Sequence, residues 1–390
     1  MSNDLFYLIS LPQNAAPNGG DPELQLESWY AENLNISPSD VTPFNIPVFK
    51  IGTLDSLVQQ SEELAKLDGQ FHGVVSKLSD IIDSVYEGNA AKIASAKKVN
   101  GKSPEAYIKS FSWTSSKYRV DKSIPELVDL LSKDTFSLDA EVRSTYANYT
   151  AAKTNLTTVD RKQTGNLSVR SLHDVVKREH FVQESEYLTT ILIAVPKSQT
   201  KEFLSTYETL TPMVVPRSAS LIASDDEYAL FNTTLFKKYV NEFTLKAREH
   251  KWTPREFKYS EEFIADLRQE LQKATEQERK LWGDVVRLSQ ASYNDIIQNW
   301  THLKAIHIFV EAVLRYGLPP NFINTAILVS QKHKKKVQDT LIAKFGYLGG
   351  NAFQKDKNGK LKADTDLHEY GAIVDAEYKP FVYEELELFA

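Results

Sequence analysis

Two stretches of the chain combine helical spacing of apolar residues with an absence of chain breakers, and they bracket a segment of different pattern. Neither Glu126 to Val195 nor Arg255 to Leu318 contains a proline. A proline inside a helix removes a backbone donor and clashes with the preceding turn, so both windows leave room for helices much longer than the usual three or four turns. In the first, Val142, Tyr149 and Leu156 recur at heptad spacing, with Leu138, Ala152 and Val159 as a second line of the seam. That narrow stripe is a two-helix packing pattern. The second window opens at Ser260, a good cap, followed by Glu261 and Glu262, and closes at Tyr316-Gly317-Leu318-Pro319-Pro320, a glycine stop with prolines behind it. Its stripe is Ile264, Leu267, Leu271, Ala274, Leu281, Val285 and Leu288, and from Ile296 to Leu314 it thickens into a core face. As one helix, 260 to 316 would run about 85 Å at 1.5 Å per residue; the plainer alternative is a pair of bundle helices broken near Gly283.

Between the windows the pattern becomes that of strands. Thr189 to Val195 is a continuous apolar, β-branched run, Lys201 to Leu210 has helical spacing, and Ala219 to Ala223 and Tyr228 to Asn232 are short strands joined by a turn at 224 to 227. Phe236 to His250 predicts a helix, and Trp252 to Tyr259, which holds Pro254, an edge strand. The order βαββαβ is that of a split βαβ, ferredoxin-like sandwich. The two ends of the chain read as halves of one further module. Leu5 to Leu11 is a strand, Pro12 to Pro47 is loop-rich, Thr53 to Tyr86 is an amphipathic helix, Asn324 to Ser330 is a strand, Lys332 to Phe345 is a helix, Asn358-Gly359 is a hairpin turn, and Phe381 to Leu386 is a last strand. The fold expected is α+β and helix-rich: an elongated dumbbell with an α/β head, a long antiparallel helical neck, and an α/β foot holding both termini. Its boundaries are 1–120 and 296–390 for the foot, 121–166 and 259–295 for the neck helices, and 167–258 for the head.

Composition narrows the classes. With 390 residues the chain is too long for one core, and 42% hydrophobic with 25% charged residues is globular material. A net charge of -6 gives nucleic acid no general attraction. There is no cysteine, hence no disulfide framework and no thiolate site. The apolar run at the N-terminus is preceded by Asp4 and is too short for a signal or a membrane span. Six Asn-x-Ser/Thr sequons, at Asn35, Asn148, Asn155, Asn166, Asn232 and Asn299, include three in or beside the first long helix, where glycans would obstruct packing; this suits a cytosolic chain.

Catalytic chemistry finds little support. No G-x-x-x-x-G-K loop, H-E-x-x-H helix or G-x-S-x-G elbow occurs. Gly346 to Gly350 reads as a helix-ending loop, and Asp356 to Lys360 lacks the glutamate that a calcium loop carries at its twelfth position, which is Leu367. His173, His180, His302 and His307 read as surface or hydrogen-bonded core residues. No catalytic, cofactor or metal residue is therefore assigned. Two charge runs remain as candidate partner contacts: the turn Asp225, Asp226, Glu227, whose reversal to lysine should leave folding unchanged, and the run Lys332, Lys334, Lys335, Lys336 around His333.

Long strings carry a resemblance. LISLPQNA at 8–15, FKIGTLDSLV at 49–58, LDAEVRSTYANYTAAKTNL at 138–156, RKQTGNLSVRSLHDVV at 161–176, LFKKYVNEF at 235–243, PREFKYSEE at 254–262, LRYGLPP at 314–320 and FGYLGGNAF at 345–353 resemble the C subunit of the vacuolar-type proton ATPase (V-ATPase), the fungal members most of all. The resemblance implies a non-catalytic stator component that bridges the soluble ATP-hydrolysing sector and the proton-translocating membrane sector and leaves both on reversible disassembly. It implies that a heterodimer of subunits E and G holds the head, and that a second such stalk and the cytosolic N-terminal domain of subunit a hold the foot. It also implies a monomer when isolated, no cofactor, no nucleic acid, and a cytoplasmic location, peripheral on the cytosolic face of the vacuolar and other endomembranes. The competing expectation is an elongated cytosolic scaffold or membrane-surface adaptor without ATPase association, for which a basic helix face is missing.

Overall fold

The computed structural model describes residues 4–16, 20–173, 175–257, 261–353 and 380–388. Its contacts divide the chain into two compact units, Met1–Tyr146 with Asp284–Ala390, and Ala147–Gly283.

The first unit is organised by a strand that is buried on both sides. β1 (Asp4–Pro12) pairs antiparallel with β7 (Phe322–Ser330) and with β8 (Val382–Glu387), and β2 (Val41–Pro43) adds to the far side of β7, giving the order β2-β7-β1-β8. Phe6 and Leu8 point into one cluster, with Phe71, Val75 and Leu78 of α2 (Leu54–Val85) and Trp300, Leu303 and Ile306 of α8 (Glu261–Tyr316). Leu5, Tyr7, Ile9 and Leu11 point into another, with Leu26 and Tyr30 of α1 (Pro22–Leu34) and Val337, Leu341 and Phe345 of α9 (Lys334–Phe345). A strand covered on both faces needs no polar alternation, which explains the unbroken apolar run of β1. α3 (Ala90–Ala96) and α4 (Pro104–Lys109) are short connectors before α5 (Ile124–Thr164).

Helix α1 corrects the reading of Pro12 to Pro47 as loop. Its proline is a start signal: Pro22 occupies the first turn, where its missing N–H costs nothing, and the Asp21 carboxylate accepts from the Glu23 amide at 3.2 Å. Leu26, Tyr30 and Leu34 then lie on one buried face, and Asn35 stops the helix at φ 55°. The two long windows fold as continuous helices. α5 runs 41 residues, opened by Glu126, whose carboxylate accepts from the Ser123 amide and hydroxyl. α8 runs 56 residues, through Gly283 without a break and up to Gly317 at φ +81°. Ser260, expected as its cap, and the Asn358-Gly359 turn lie outside the described residues.

The second unit has the order read from its sequence. β3 (Leu188–Pro196), α6 (Thr200–Thr206), β4 (Ser220–Ser224), β5 (Tyr228–Phe236), α7 (Val240–Glu249) and β6 (Thr253–Arg255) build an antiparallel sheet in the order β4-β5-β3-β6. The first and third strands of the motif are central, as a split βαβ requires. Ile193 and Phe231 face α6 and α7, packing with Phe203, Phe243 and Trp252, while Leu192 and Leu230 face Leu167, Leu172 and Val176 of the segment before β3. Arg255 pins that segment, donating to the carbonyls of Leu167, Val169 and Arg170. β5 is longer than expected and α7 starts later, because Thr233 to Phe236 stay paired with β3. Within this unit Tyr149, Ala152 and Val159 of α5 and Ala274 of α8 are buried, and the Lys162 ammonium lies 3.5 Å from Glu270.

His302 shows how α8 organises the first unit. Its ring sits among Phe111, Trp113 and Tyr118 at centroid distances of 5.2, 4.7 and 5.1 Å. Nδ1–H donates to the Gln298 carbonyl at 2.7 Å, which leaves Nε2 to accept from the Thr114 amide at 3.1 Å. Burial, reinforced by Lys117 and resisted by the bond to Gln298, pushes its pKa down to about 4. The neutral form is therefore favoured in the folded state, and stability falls as pH drops from 6.5 toward 4 because only the unfolded chain gains the proton there. Full expression of this shift approaches roughly 3 kcal/mol. Chemical denaturation across that range, comparing the parent with His302→Gln, should show a shallower pH slope in the variant, which keeps an acceptor for Thr114 but does not titrate.

Candidate functional site

The acidic turn joins β4 to β5, and two of its three carboxylates are committed inside the chain. Asp225 Oδ1 accepts from the amides of Glu227 at 2.9 Å and Tyr228 at 2.6 Å, and Oδ2 accepts from the Leu167 amide at 2.6 Å. Burial raises its pKa, but the three amide bonds outweigh it and hold the carboxyl below its usual range. Glu227 accepts from the Asn166 side chain at 2.7 Å, and its carbonyl accepts from the Lys197 amide. Asp226 stands exposed, with no side-chain partner among the described residues. The turn therefore ties the hairpin to the start of the 166–187 segment, so reversal at Asp225 would break bonds inside the chain, unlike reversal at the exposed Asp226. The pattern Asp-x-x-Tyr at a strand end was the readable signal, because an aspartate at a turn's first position bonds the following amides.

The basic run separates in the same way. Lys332 and His333 form a 3-10 turn before α9, and Lys332, Lys335 and Lys336 are exposed. Lys334 is half-buried and lies 2.7 Å from Glu385 of β8. A cluster of cations at a helix N-terminus opposes the helix dipole, and Glu385 offsets part of that cost.

Glu385 is one of three glutamates in β8, each met by a basic side chain from a different helix. The Lys304 ammonium of α8 is 3.0 Å from Glu384 and 2.8 Å from Asp68 of α2, and its side chain is 2% exposed. Burial alone would lower its pKa, yet Glu384 and Asp68 outweigh that and raise it, so it stays charged. The Trp300 indole N–H donates to the second oxygen of Asp68 at 2.7 Å. His307 lies 3.7 Å from Glu384 and 3.9 Å from Glu311, which accepts from the Ser61 hydroxyl. His72 of α2 reaches Glu387 at 3.3 Å. This network escaped the sequence reading; its signal was Lys304 set among the mostly apolar residues from Trp300 to Val313, answered by Glu-Glu-Leu-Glu in the last strand.

Among the described residues no group of three or more His, Asp or Glu side chains is placed to hold a metal ion, and no helix is long and apolar enough to cross a membrane. Gly346 to Phe353 continue α9 as 3-10 turns, and Asp356 to Lys360 lie outside the described residues. The arrangement offers fixed internal ion pairs and a small set of outward charges.

The family model for the V-ATPase C subunit matches residues 6–382. The C subunit of the V-type proton ATPase of Saccharomyces cerevisiae is 50% identical over 382 residues, covering 98% of this chain and 97% of that protein. The Manduca sexta protein of the same name is 36% identical over 388 residues, with the same coverage of 98% and 97%. Among solved structures, the cytoplasmic N-terminal domain of subunit I, homolog of subunit a, of V-ATPase overlaps 87% of this chain and 97% of that one at 15% identity, with a TM-score of 0.29, too low to speak for a common fold.

Two substitution sets separate internal from outward charges. Lys304→Met leaves the part-buried carboxylates of Asp68 and Glu384 without their cation and should cost about 3 kcal/mol of first-unit stability. Asp225→Lys should cost roughly 2 kcal/mol or more through the lost amide bonds, whereas Asp226→Lys should stay within about 0.5 kcal/mol of the parent. Thermal and urea unfolding of the purified chains measure all three.

Proposed function

The chain belongs to the V-ATPase C-subunit family, and on that footing we propose that it is a non-catalytic stator subunit that bridges the ATP-hydrolysing and proton-translocating sectors, takes part in their reversible assembly, and thereby supports ATP-driven proton transport and organelle acidification. The family match from residue 6 to residue 382 is the observation that carries the reading. The continuity of α5 and α8 agrees with it. A stator must resist the torque of a rotor, and a helix with no break along 56 residues carries load through its whole ladder of i→i−4 hydrogen bonds. In this reading residues 167–258 act as the head, held by a heterodimer of subunits E and G, and residues 1–120 with 296–390 act as the foot, held by a second such stalk and the cytosolic N-terminal domain of subunit a. The stretches 121–166 and 259–295 act as the neck.

A stator that assembles reversibly needs several moderate interfaces in place of one tight one, and outward charges steer such encounters without adding much affinity. Asp226, Lys332, Lys335 and Lys336 are the charges suited to that, while Asp225, Glu227 and Lys334 support the local fold behind them. The working location is the cytosolic face of the vacuolar and other endomembranes, reached through the complex.

Affinity purification of the tagged full-length chain from a cell extract tests this reading. Subunits E, G and a should be recovered with it, and removing the chain should abolish ATP-driven acidification of isolated vesicles. Recovery of the chain without any other V-ATPase subunit would sink the proposal.

A further inference from the structure

Natural sheets protect their edges with prolines, charges or very short strands, because an edge presents unpaired backbone groups to any passing strand. Among the described residues, three of the four sheet edges follow that rule. β2 is three residues long and ends in Pro43, β6 is three residues long around Pro254, and β8 carries Glu384, Glu385 and Glu387. The fourth, β4, is five residues of Ser-Leu-Ile-Ala-Ser with neither a charge nor a proline. Among the described residues it has one strand neighbour, β5.

The same flank of β5 is extended by residues 213–215. Val214 bridges Leu235, the Val215 amide donates to the Thr234 carbonyl at 3.0 Å, and the Phe236 amide donates to the Met213 carbonyl at 3.2 Å. Large apolar side chains project from this flank: Leu221 is 59% exposed and Met213 is 60% exposed. Leu221 stands opposite Phe231, a member of the cluster under α6 and α7, so it extends that apolar face outward at the β4 edge. At the far end of β4 stands Asp226, the carboxylate of the turn that has no partner among the described residues.

We propose that the outer edge of β4 is a strand-addition site: an extended segment of another V-ATPase subunit, apolar in its middle and basic beside Asp226, pairs with Ser220–Ser224 as a fifth strand. The inference rests on the assignment to a V-ATPase subunit and says how one of its contacts is made. Backbone hydrogen bonds supply the affinity of such a junction, and alternate side chains supply its selectivity. A second copy of the chain fits the edge less well. The register between β4 and β5 shifts between Leu221 and Ala223, leaving Ile222 as an extra residue at the middle of the strand. A two-fold pair of β4 strands would set bulge against bulge at its axis, whereas a partner strand without a bulge meets only one.

Hydrogen exchange of the full-length chain, alone and within the purified complex, tests the proposal together with Leu221→Lys and Met213→Lys. Assembly should slow exchange of the 220–224 amides at least tenfold. Both variants should keep the parent's melting temperature and recover at least tenfold less of the other subunits, since a lysine on an edge is itself a protecting device. A chain that recovers no other subunit overturns this inference along with the functional reading. A chain that assembles while its β4 amides exchange as before overturns this inference alone, and so does a concentration-dependent dimer in sedimentation that protects those amides by itself.

Discussion

The interaction on which the first unit depends is the pairing of β1 with two strands from the other end of the chain. Phe6 stands opposite both Leu328 and Leu386, so this apolar strand is unburied until nearly the whole chain has arrived. The loop-closure entropy of such a pairing grows slowly with length but must be met before any contact rewards it. What meets it is burial on both faces, and a set of ion pairs and hydrogen bonds that hold β8 in place from three helices. Lys304 is central to that set, because its ammonium is withdrawn from water and answered from α2 and β8 together. A charge in that position specifies its neighbours more than an apolar contact would, since a shifted β8 would leave it unpaired.

Where local rules coincided with tertiary ones, the sequence was legible. The stop signals around Gly317 and the absence of proline gave α8 its end and continuity, and the single sheet of the second unit followed from the order of its short runs. The match of pattern to topology there reflects chemistry at each joint: a capping aspartate at the β4–β5 turn, and a proline on the β6 edge. The loop reading of Pro12 to Pro47 failed because six prolines in that stretch were weighed as breakers, when Pro22 sits where a helix tolerates one. The roles of Lys334 and Lys304 were hidden for a different reason. Each depends on a partner far away in sequence, and no periodicity reports that.

The charged residues fall into two populations with different uses. Asp225, Lys304 and Lys334 have partners inside the chain, fix the geometry of turns and strands, and are reached little by salt because they are partly or fully withdrawn from solvent. Asp226, Lys332, Lys335 and Lys336 are exposed, and they respond to ionic strength and to whatever approaches. A sequence reader sees both as one run, as at 225–227 and 332–336. Only the fold sorts them, and the sorting decides which substitution tests docking and which tests stability.

The second unit is one uninterrupted stretch of chain, whereas the first is assembled from two stretches that flank it. During synthesis the ribosome therefore completes the inserted unit while its host still lacks a second half. Residues 147–283 have all their strands in hand and are able to fold on emergence, as domains commonly do. The N-terminal strand, long since outside the exit tunnel, waits as an apolar segment with both edges open. Production of this protein should thus be limited by how well that early strand is shielded from other nascent chains, a burden on the cell's holding chaperones that the finished molecule no longer shows.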